Sequence, residues 1–215
     1  MADMEDSEFV SDAELTNYLN FAIAELHDIL VETYGSEYYL SSSTGTTTNG
    51  TADYALPSDF YKLKGVDVKL NGSDWMTIKP FNFNERNRFE DFGSWSLAGL
   101  SNIRYRIMGS NIKFSPIPDS ELEYKLWYVP VATKLSDDAD TLDDINQYSD
   151  FVIISAAMKM LHKEESDVSS LAAERNRIIN RLESAAQNRD AAQPESISDI
   201  YAENNDYLWY TSRRS

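Results

Sequence analysis

The residues that could do chemistry in this chain are two histidines and a large excess of carboxylates. Among 215 residues, 36 are Asp or Glu, 19 are Lys or Arg, and none is Cys. A zinc peptidase helix carries two histidines as H-E-x-x-H, whereas His27 begins HDILV and His162 begins HKEES. Neither histidine begins this metal-binding pair, so both are predicted to be structural or exposed. With no cysteine, the sequence offers neither a disulfide framework nor thiolate chemistry.

The densest acidic cluster, at residues 137–144, resembles a calcium loop only in its composition. An EF-hand loop needs Gly at its sixth position and oxygen ligands at alternate positions. Counted from Asp138, the fifth residue is Leu142 and the sixth is Asp143, so the pattern fails and a solvated connector is predicted. The sequence also lacks a glycine-rich phosphate loop and a G-x-S-x-G motif. We therefore predict no enzyme activity, no metal and no cofactor.

The charge balance favours some classes of partner over others. A net charge of -17 and a pI near 4.4 argue against binding of nucleic-acid phosphates, which requires a basic face. The acidic start MADMEDSEFV lacks the basic and then apolar design of a secretory signal. No apolar run approaches the roughly 20 residues that a membrane span needs. Synthesis in the cytoplasm, without membrane contact, is the expectation.

Periodicity indicates helices at both ends of the chain. Apolar residues recur at three- and four-residue steps from Leu15 to Leu30, which predicts a helix over 12–34 that Ser11 or Asp12 caps. The run FVIISAAMKMLH is apolar on nearly all sides and predicts a central helix. A third helix, which Ser166 or Asp167 caps, ends before Pro194. Its predicted stripe is Val168, Leu171, Ala172, Arg175, Ile178, Ile179, Leu182 and Ala185. Because the first helix is too short to be stable alone, it must pack on the other two.

Between these helices the period changes to two. Lys62–Leu70 alternates and meets Asn71-Gly72, a strong hairpin signal, and residues 102–118 predict a second hairpin that turns at Gly109. The segment 121–131 predicts a fifth strand, and five strands at this spacing make a small antiparallel sheet, sandwich or open barrel. Before this module, the Ser/Thr-rich stretch from Ser41 to Thr51 has no apolar residue and predicts a flexible loop.

The fold class expected from these elements is α+β, a helical bundle with an inserted small antiparallel β module and an extended C-terminal tail. Its expected divisions are a bundle helix at 1–40, a flexible loop at 41–53, the β module at 54–134, two bundle helices at 135–190 and the tail at 191–215.

The tail is the strongest candidate for a binding segment. Disordered tails are usually poor in aromatic residues, yet this one has several between its acids and closes on two arginines. Buried Tyr and Trp side chains are frequent hot spots of interfaces. The predicted binding residues are Ile197, Ile200, Tyr201, Tyr207, Leu208, Trp209, Tyr210, Arg213 and Arg214.

Two stretches, ADYALPSDFYKLKGVDV at 52–68 and YKLWYVPVATKLSDDADTL at 124–142, resemble head–tail adaptor proteins of tailed bacteriophages. In the first, Pro57 keeps Leu56 extended and Asp59 can bond the turn backbone. The order of elements is also similar over about residues 10–212. These are scaffold motifs and carry no catalytic signature.

The resemblance implies a structural protein of the virion neck. Such adaptors form a ring, usually of twelve copies, beneath the portal, extend the DNA channel and dock the tail or its nozzle. DNA would pass without specific binding, the C-terminal tail would bind the portal protein, and the β module would face the tail. The tail-side aromatic residues expected on that module are Trp75, Phe81, Phe83, Phe92 and Trp95.

Two other functions remain open from the sequence. The chain could be another neck or tail-tube component. Alternatively, Trp75, Trp95, Trp127 and Tyr128 could line a carbohydrate-binding β module, although such residues more often fill a core.

Overall fold

The computed structural model describes residues 10–35, 37–69, 74–88, 95, 102–137, 139–142 and 148–187. In chain order, its elements are α1 (Asp12–Thr33), β1 (Ser41–Thr46), β2 (Asp53–Ala55), β3 (Phe60–Val68), β4 (Met76–Pro80), β5 (Arg104–Met108), β6 (Asn111–Ser115), β7 (Glu123–Pro130), α2 (Ser149–Lys163) and α3 (Ser169–Gln187). A 3₁₀ turn at Phe83–Glu85 follows β4.

Helix α1 begins at a capping box. Glu14 N donates to Ser11 Oγ at 3.4 Å, and Ser11 N donates to Glu14 Oε2 at 3.1 Å, so two backbone donors of the first turn are satisfied reciprocally. The helix ends before Gly35, whose φ of +81° suits a residue without a side chain. The predicted position of this helix is confirmed.

The three helices pack around their own apolar core. Leu26 and Leu30 of α1, Phe151 of α2 and Leu182 of α3 are fully buried. The helical stripe that the sequence predicts for α3 is confirmed, since Ile178 and Leu182 both enter this core. We call this group of helices the helical unit.

The strands form one mixed sheet in the order β1-β7-β3-β4-β5-β6-β2. All its strand pairs are antiparallel except β4 and β5, which run parallel. The sheet is curled. The ring centroids of Tyr54, on β2 at one edge, and Tyr124, on β7 near the other edge, are only 5.5 Å apart. Inside the curl lies a second core that includes Val66, Phe114 and Leu126. The hairpin predicted at Gly109 is confirmed by the pairing of β5 with β6.

The expected fold class, a helical bundle carrying a small antiparallel β module, is wrong. The sheet is a curled, mixed, seven-stranded half-barrel, which is too large to be a minor insertion into a bundle. Two of its strands, β1 and β2, come from segments without the alternating apolar residues that reveal a strand. Their partners β7 and β6 impose the extended conformation, as tertiary pairing often does.

The flexible loop expected at 41–53 also needs correction. Ser41–Thr46 pairs in antiparallel register with β7, from Ser41 opposite Tyr128 to Thr46 opposite Glu123. After it, Thr47 Oγ1 donates to the Ser120 carbonyl at 2.8 Å, and Tyr54 Oη donates to the Thr51 carbonyl at 2.8 Å. The Ser and Thr side chains therefore lie along an edge strand and a hydrogen-bonded turn. The remaining divisions along the chain stay predictions.

Candidate assembly interface

The predicted tail residues, from Ile197 to Arg214, lie outside the described residues, and so does Phe92. Four of the five aromatic residues predicted for the β module can be placed. They separate into two groups, because the curl of the sheet buries one pair and leaves the other pair accessible.

Phe81 and Trp95 are core residues, with exposed fractions of 2% and 0%. The Trp95 ring packs edge-on against Phe114 at 5.5 Å, and its Nε1 donates to the Pro116 carbonyl at 2.8 Å. Because Trp and Tyr in a core need a polar partner for their single donor, this bond explains how Trp95 is accommodated. Both residues pack the fold and present no surface to a partner.

Trp75 lies on the outward face of the sheet between two lysines. Lys69 Nζ is 4.7 Å and Lys125 Nζ is 4.3 Å from the ring centroid, which are cation–π distances. Lys69 is also ion-paired with Glu123. Next to this group, Trp127 Nε1 donates to Asp67 Oδ2 at 2.6 Å. The result is an ordered aromatic and charged surface on β7 and on the adjoining ends of β3 and β4.

Phe83 lies in the 3₁₀ turn after β4 and is 48% exposed. The guanidinium carbons of Arg86 and Arg106 are 4.9 Å and 5.9 Å from its ring centroid. Arg106 is oriented by a bond from Nη1 to the Phe81 carbonyl at 2.9 Å. An exposed aromatic ring between arginines has the composition that protein interfaces favour.

Around Phe83 the outward face of the sheet is basic. Lys79 of β4 lies opposite Arg104 of β5, and Arg106 of β5 lies opposite Lys113 of β6. We call Lys79, Arg86, Arg104, Arg106 and Lys113, together with Phe83, the basic strip. Within the described part of the chain, Lys79, Arg106 and Lys113 form no ion pair.

The basic strip could not be predicted from the net charge of the whole chain, because the acids of the other segments outweigh its cations. Residues 54–134 hold 11 of the 19 Lys and Arg but only 9 of the 36 Asp and Glu, so this part carries +2 and the remainder carries -19. Counting charge separately for each predicted domain would have revealed the asymmetry.

The helical unit meets the sheet at a cluster centred on His27. Its ring stacks on Tyr39 at 4.7 Å and meets Tyr61 of β3 edge-on at 5.6 Å. Tyr61 Oη donates to Asp28 Oδ1 at 2.8 Å. Burial lowers the pKa of His27 below its ordinary value of 6.5, although the nearby Asp28 carboxylate opposes this shift. The cluster holds the helices against one end of the sheet.

The acidic connector uses a carboxylate in its own turn. Asp140 Oδ2 accepts from Ser136 N at 2.7 Å and from Asp137 N at 2.9 Å, and these bonds lower the pKa of Asp140. Across the ranges that the structure describes, no three His, Asp or Glu side chains converge as a metal site would require. None of the described helices combines the length and the apolar character needed to cross a bilayer.

Comparison with known proteins identifies the family. A family model described as SU10 adaptor protein matches residues 1–198, which is nearly the whole chain. A comparison with curated proteins finds no match. The resemblance to head–tail adaptors is thus confirmed.

This match makes the chain a structural protein of a bacteriophage virion that interacts with other head and tail components. The ordered aromatic and basic outer face of the sheet is consistent with a protein whose role is contact with other proteins. The chain belongs to the SU10 adaptor protein family, a family of bacteriophage head–tail adaptors.

Proposed function

We propose that this protein forms a ring beneath the portal, in the virion neck, that extends the DNA channel and provides the platform for the tail or its nozzle. The observation that carries the proposal is the family match over residues 1–198. The strong net negative charge supports it, because a subunit that is acidic overall repels DNA phosphates and does not hold the duplex as it slides. The protein acts by binding and has no enzymatic step, metal or cofactor in this role.

Three partners follow from the proposal. They are the portal protein, further copies of this chain in a ring of about twelve, as the resemblance implies, and the tail or nozzle protein. Trp75 and Phe83 are the predicted aromatic residues that the fold leaves accessible to a partner. We assign them to contacts outside the subunit, whereas Phe81 and Trp95 serve the core.

The portal contact is assigned to residues 197–215, at the end of the chain. Most of this segment lies beyond the family match, so its support is its composition of aromatic and aliphatic residues between acids. A short segment that orders on its partner can cover a large surface. Arg213 and Arg214 would add charge contacts, although exposed ion pairs contribute little energy.

Electron microscopy of the purified protein mixed with the portal protein of the same virion tests the ring. A ring-shaped complex seated on the portal is expected. Absence of any such complex, over a range of protein concentrations, would refute the proposed function.

The tail is tested separately by replacing Tyr207, Leu208, Trp209 and Tyr210 with alanine in the full-length chain. Portal binding should be lost, since each buried aromatic side chain is worth on the order of 2 kcal/mol. The matched control replaces Asn204 and Asn205 with alanine and should bind normally. Deletion of residues 197–215 should likewise give capsids that fail to retain DNA or to acquire tails, and normal capsids would contradict the assignment.

A further inference from the structure

We propose that the basic strip binds the acidic end of the helical unit in a second copy of this chain, so that the ring is built from a head-to-tail contact between them. The acidic end consists of Asp12 and Glu14 at the start of α1 and Glu164, Glu165 and Asp167 between α2 and α3. The inference rests on the proposed ring and names the surfaces that form it.

The basic strip concentrates like charges on one face of the sheet, although Asp53 of β2 lies opposite Lys113 on the other side of β6. Arg106 and Lys113 lie directly opposite each other on β5 and β6, and Lys79 lies beside Arg104 on β4 and β5. Like charges in directly opposed positions of a sheet destabilise it. An anionic surface placed over the strip would remove this repulsion.

The strip also has the character of an interface centre. Phe83 exposes 48% of its surface between two arginines, and Arg106 is already oriented by the Phe81 carbonyl. Arg and aromatic side chains are enriched among residues that dominate binding energy. Since orientation of Arg106 occurs before binding, less side-chain entropy is lost when a partner arrives.

A complementary surface exists on the same chain. Asp12, Glu164, Glu165 and Asp167 are exposed, and the bond from Lys163 Nζ to Glu14 Oε1 at 2.7 Å brings the start of α1 beside the end of α2. Asp12 precedes Asp28, where α1 contacts the sheet through Tyr61, by 16 residues, or roughly 24 Å of helix. The two surfaces thus belong to different parts of the subunit.

Charge also determines the type of contact. An isologous dimer through the basic strip would place cations against cations, and one through the acidic end would place acids against acids. A heterologous contact pairs opposite charges, and repetition of one heterologous contact generates a ring when the rotation closes. Because the chain as a whole carries a net charge of -17, it repels DNA at long range, and acidic protein is therefore the occupant we assign to the strip.

Zero-length carbodiimide cross-linking tests the contact directly, because it joins only lysines and carboxylates that touch. Rings assembled on the portal from an equal mixture of ¹⁴N- and ¹⁵N-labelled full-length chains should yield mixed-isotope links from Lys79 or Lys113 to Glu164, Glu165 or Asp167. Intersubunit links found only between other residues would overturn the proposal.

Charge reversal provides the second test. Lys79→Glu with Arg106→Glu, or Glu164→Lys with Glu165→Lys, should each lower the yield of rings on the portal by on the order of tenfold, because each places like charges at the contact. Combining both pairs should restore assembly. The matched control, Lys62→Glu with Lys134→Glu, makes the same charge change at exposed positions off the strip and should assemble normally.

The outcomes separate the two proposals. If the wild-type chain forms no ring, the proposed function fails, whatever the variants do. If wild-type and strip variants form rings equally well, the ring stands and the inference is wrong. Loss of duplex-DNA binding by the strip variant, with normal assembly, would assign the strip to DNA instead. Circular dichroism should show that each variant keeps its fold.

Discussion

At the scale of single residues, the environment of His27 has a measurable consequence for stability. Its ring is buried between Tyr39 and Tyr61, beside Asp28, and burial lowers its pKa below 6.5. Between the folded pKa and 6.5, the unfolded chain therefore binds a proton that the folded chain does not. Stability rises with pH through this window and is complete above about pH 6.5, and it falls as the pH drops below that value.

The substitution His27→Phe should flatten this pH dependence, because phenylalanine keeps a ring at the position but cannot titrate. Urea unfolding measured at several pH values between about 5 and about 7.5 provides the check. His162→Phe, at an exposed position, is the control and should keep the wild-type profile. An unchanged slope in His27→Phe would assign the pH dependence to other groups.

The sequence singles out aromatic residues of the β module but does not show which of them are buried and which are exposed. Trp75 and Trp95 have the same side chain, yet one lies between two lysines on the outer face and the other is fully buried. Which face a residue occupies follows from alternation along a strand, and the stretch 81–100 has no clear period. Without a period, core and binding interpretations cannot be separated for Phe81, Phe83 or Trp95.

At the scale of elements, the helices were predictable and the edge strand was not. Helix α1 carries its own signals, a capping box at Ser11 and an apolar face that continues to Leu30. Strand β1 carries none, since Ser and Thr are compatible with a loop as well as with an edge strand. Its conformation is decided by β7, which follows almost 80 residues later.

Arg175 should be the residue that fixes α3 to the other two helices. Its Nε donates to Ser155 Oγ of α2 at 3.1 Å, its guanidinium pairs with Glu25 of α1, and it lies 5.0 Å from the Phe151 ring centroid. Arg175→Met should lower the free energy of unfolding by about 1–2 kcal/mol, through loss of these bonds. Chemical denaturation measures the change.

Arg177→Met is the matched control for this prediction, because Arg177 is exposed on the same helix. It should change stability by less than about 0.5 kcal/mol. Equal effects of the two substitutions would mean that helix propensity or net charge, and not the junction, is responsible.

Gly45 should be the least replaceable residue of β1. A Cβ added at this position would lie 2.4 Å from the Cζ and Oη atoms of Tyr124, which is part of the sheet core. Gly45→Ala should therefore destabilise the protein by about 1–3 kcal/mol, as overpacking does. Thermal unfolding of Gly65→Ala is the comparison, since a Cβ there would meet no atom within 4 Å, and similar losses would argue against the steric cause.

At the scale of the whole molecule, separation of charge is the property that sequence totals concealed. The part holding most of the sheet is slightly basic, and the remainder carries nearly all of the acidity. The predicted fold class, a helical bundle, was wrong for a related reason. Which residues face the interior of a curled sheet depends on strand pairings between segments that are distant in the chain. Hydrophobic periodicity describes one segment at a time and contains no information about those pairings.

Charge separation predicts that assembly on the portal depends on salt. The Debye screening length is about 10 Å at 0.1 M salt. Raising the ionic strength from about 0.05 M to about 0.5 M takes it from above this value to below it. Assembly followed by light scattering should slow on the order of tenfold. The variant with Lys79→Glu and Arg106→Glu should show a weaker dependence, and an equal dependence would exclude the basic strip as its source.

The contact between Gly45 and Tyr124 also solves a problem of alignment. The segment SSSTGTTT is nearly uniform, so a shift by two residues along β7 would exchange one small hydroxyl side chain for another at little cost. Such a shift would bring a residue with a Cβ onto the Tyr124 ring, where only Gly45 leaves space. The absence of a Cβ at Gly45 thus fixes the register of a repetitive strand against its neighbour.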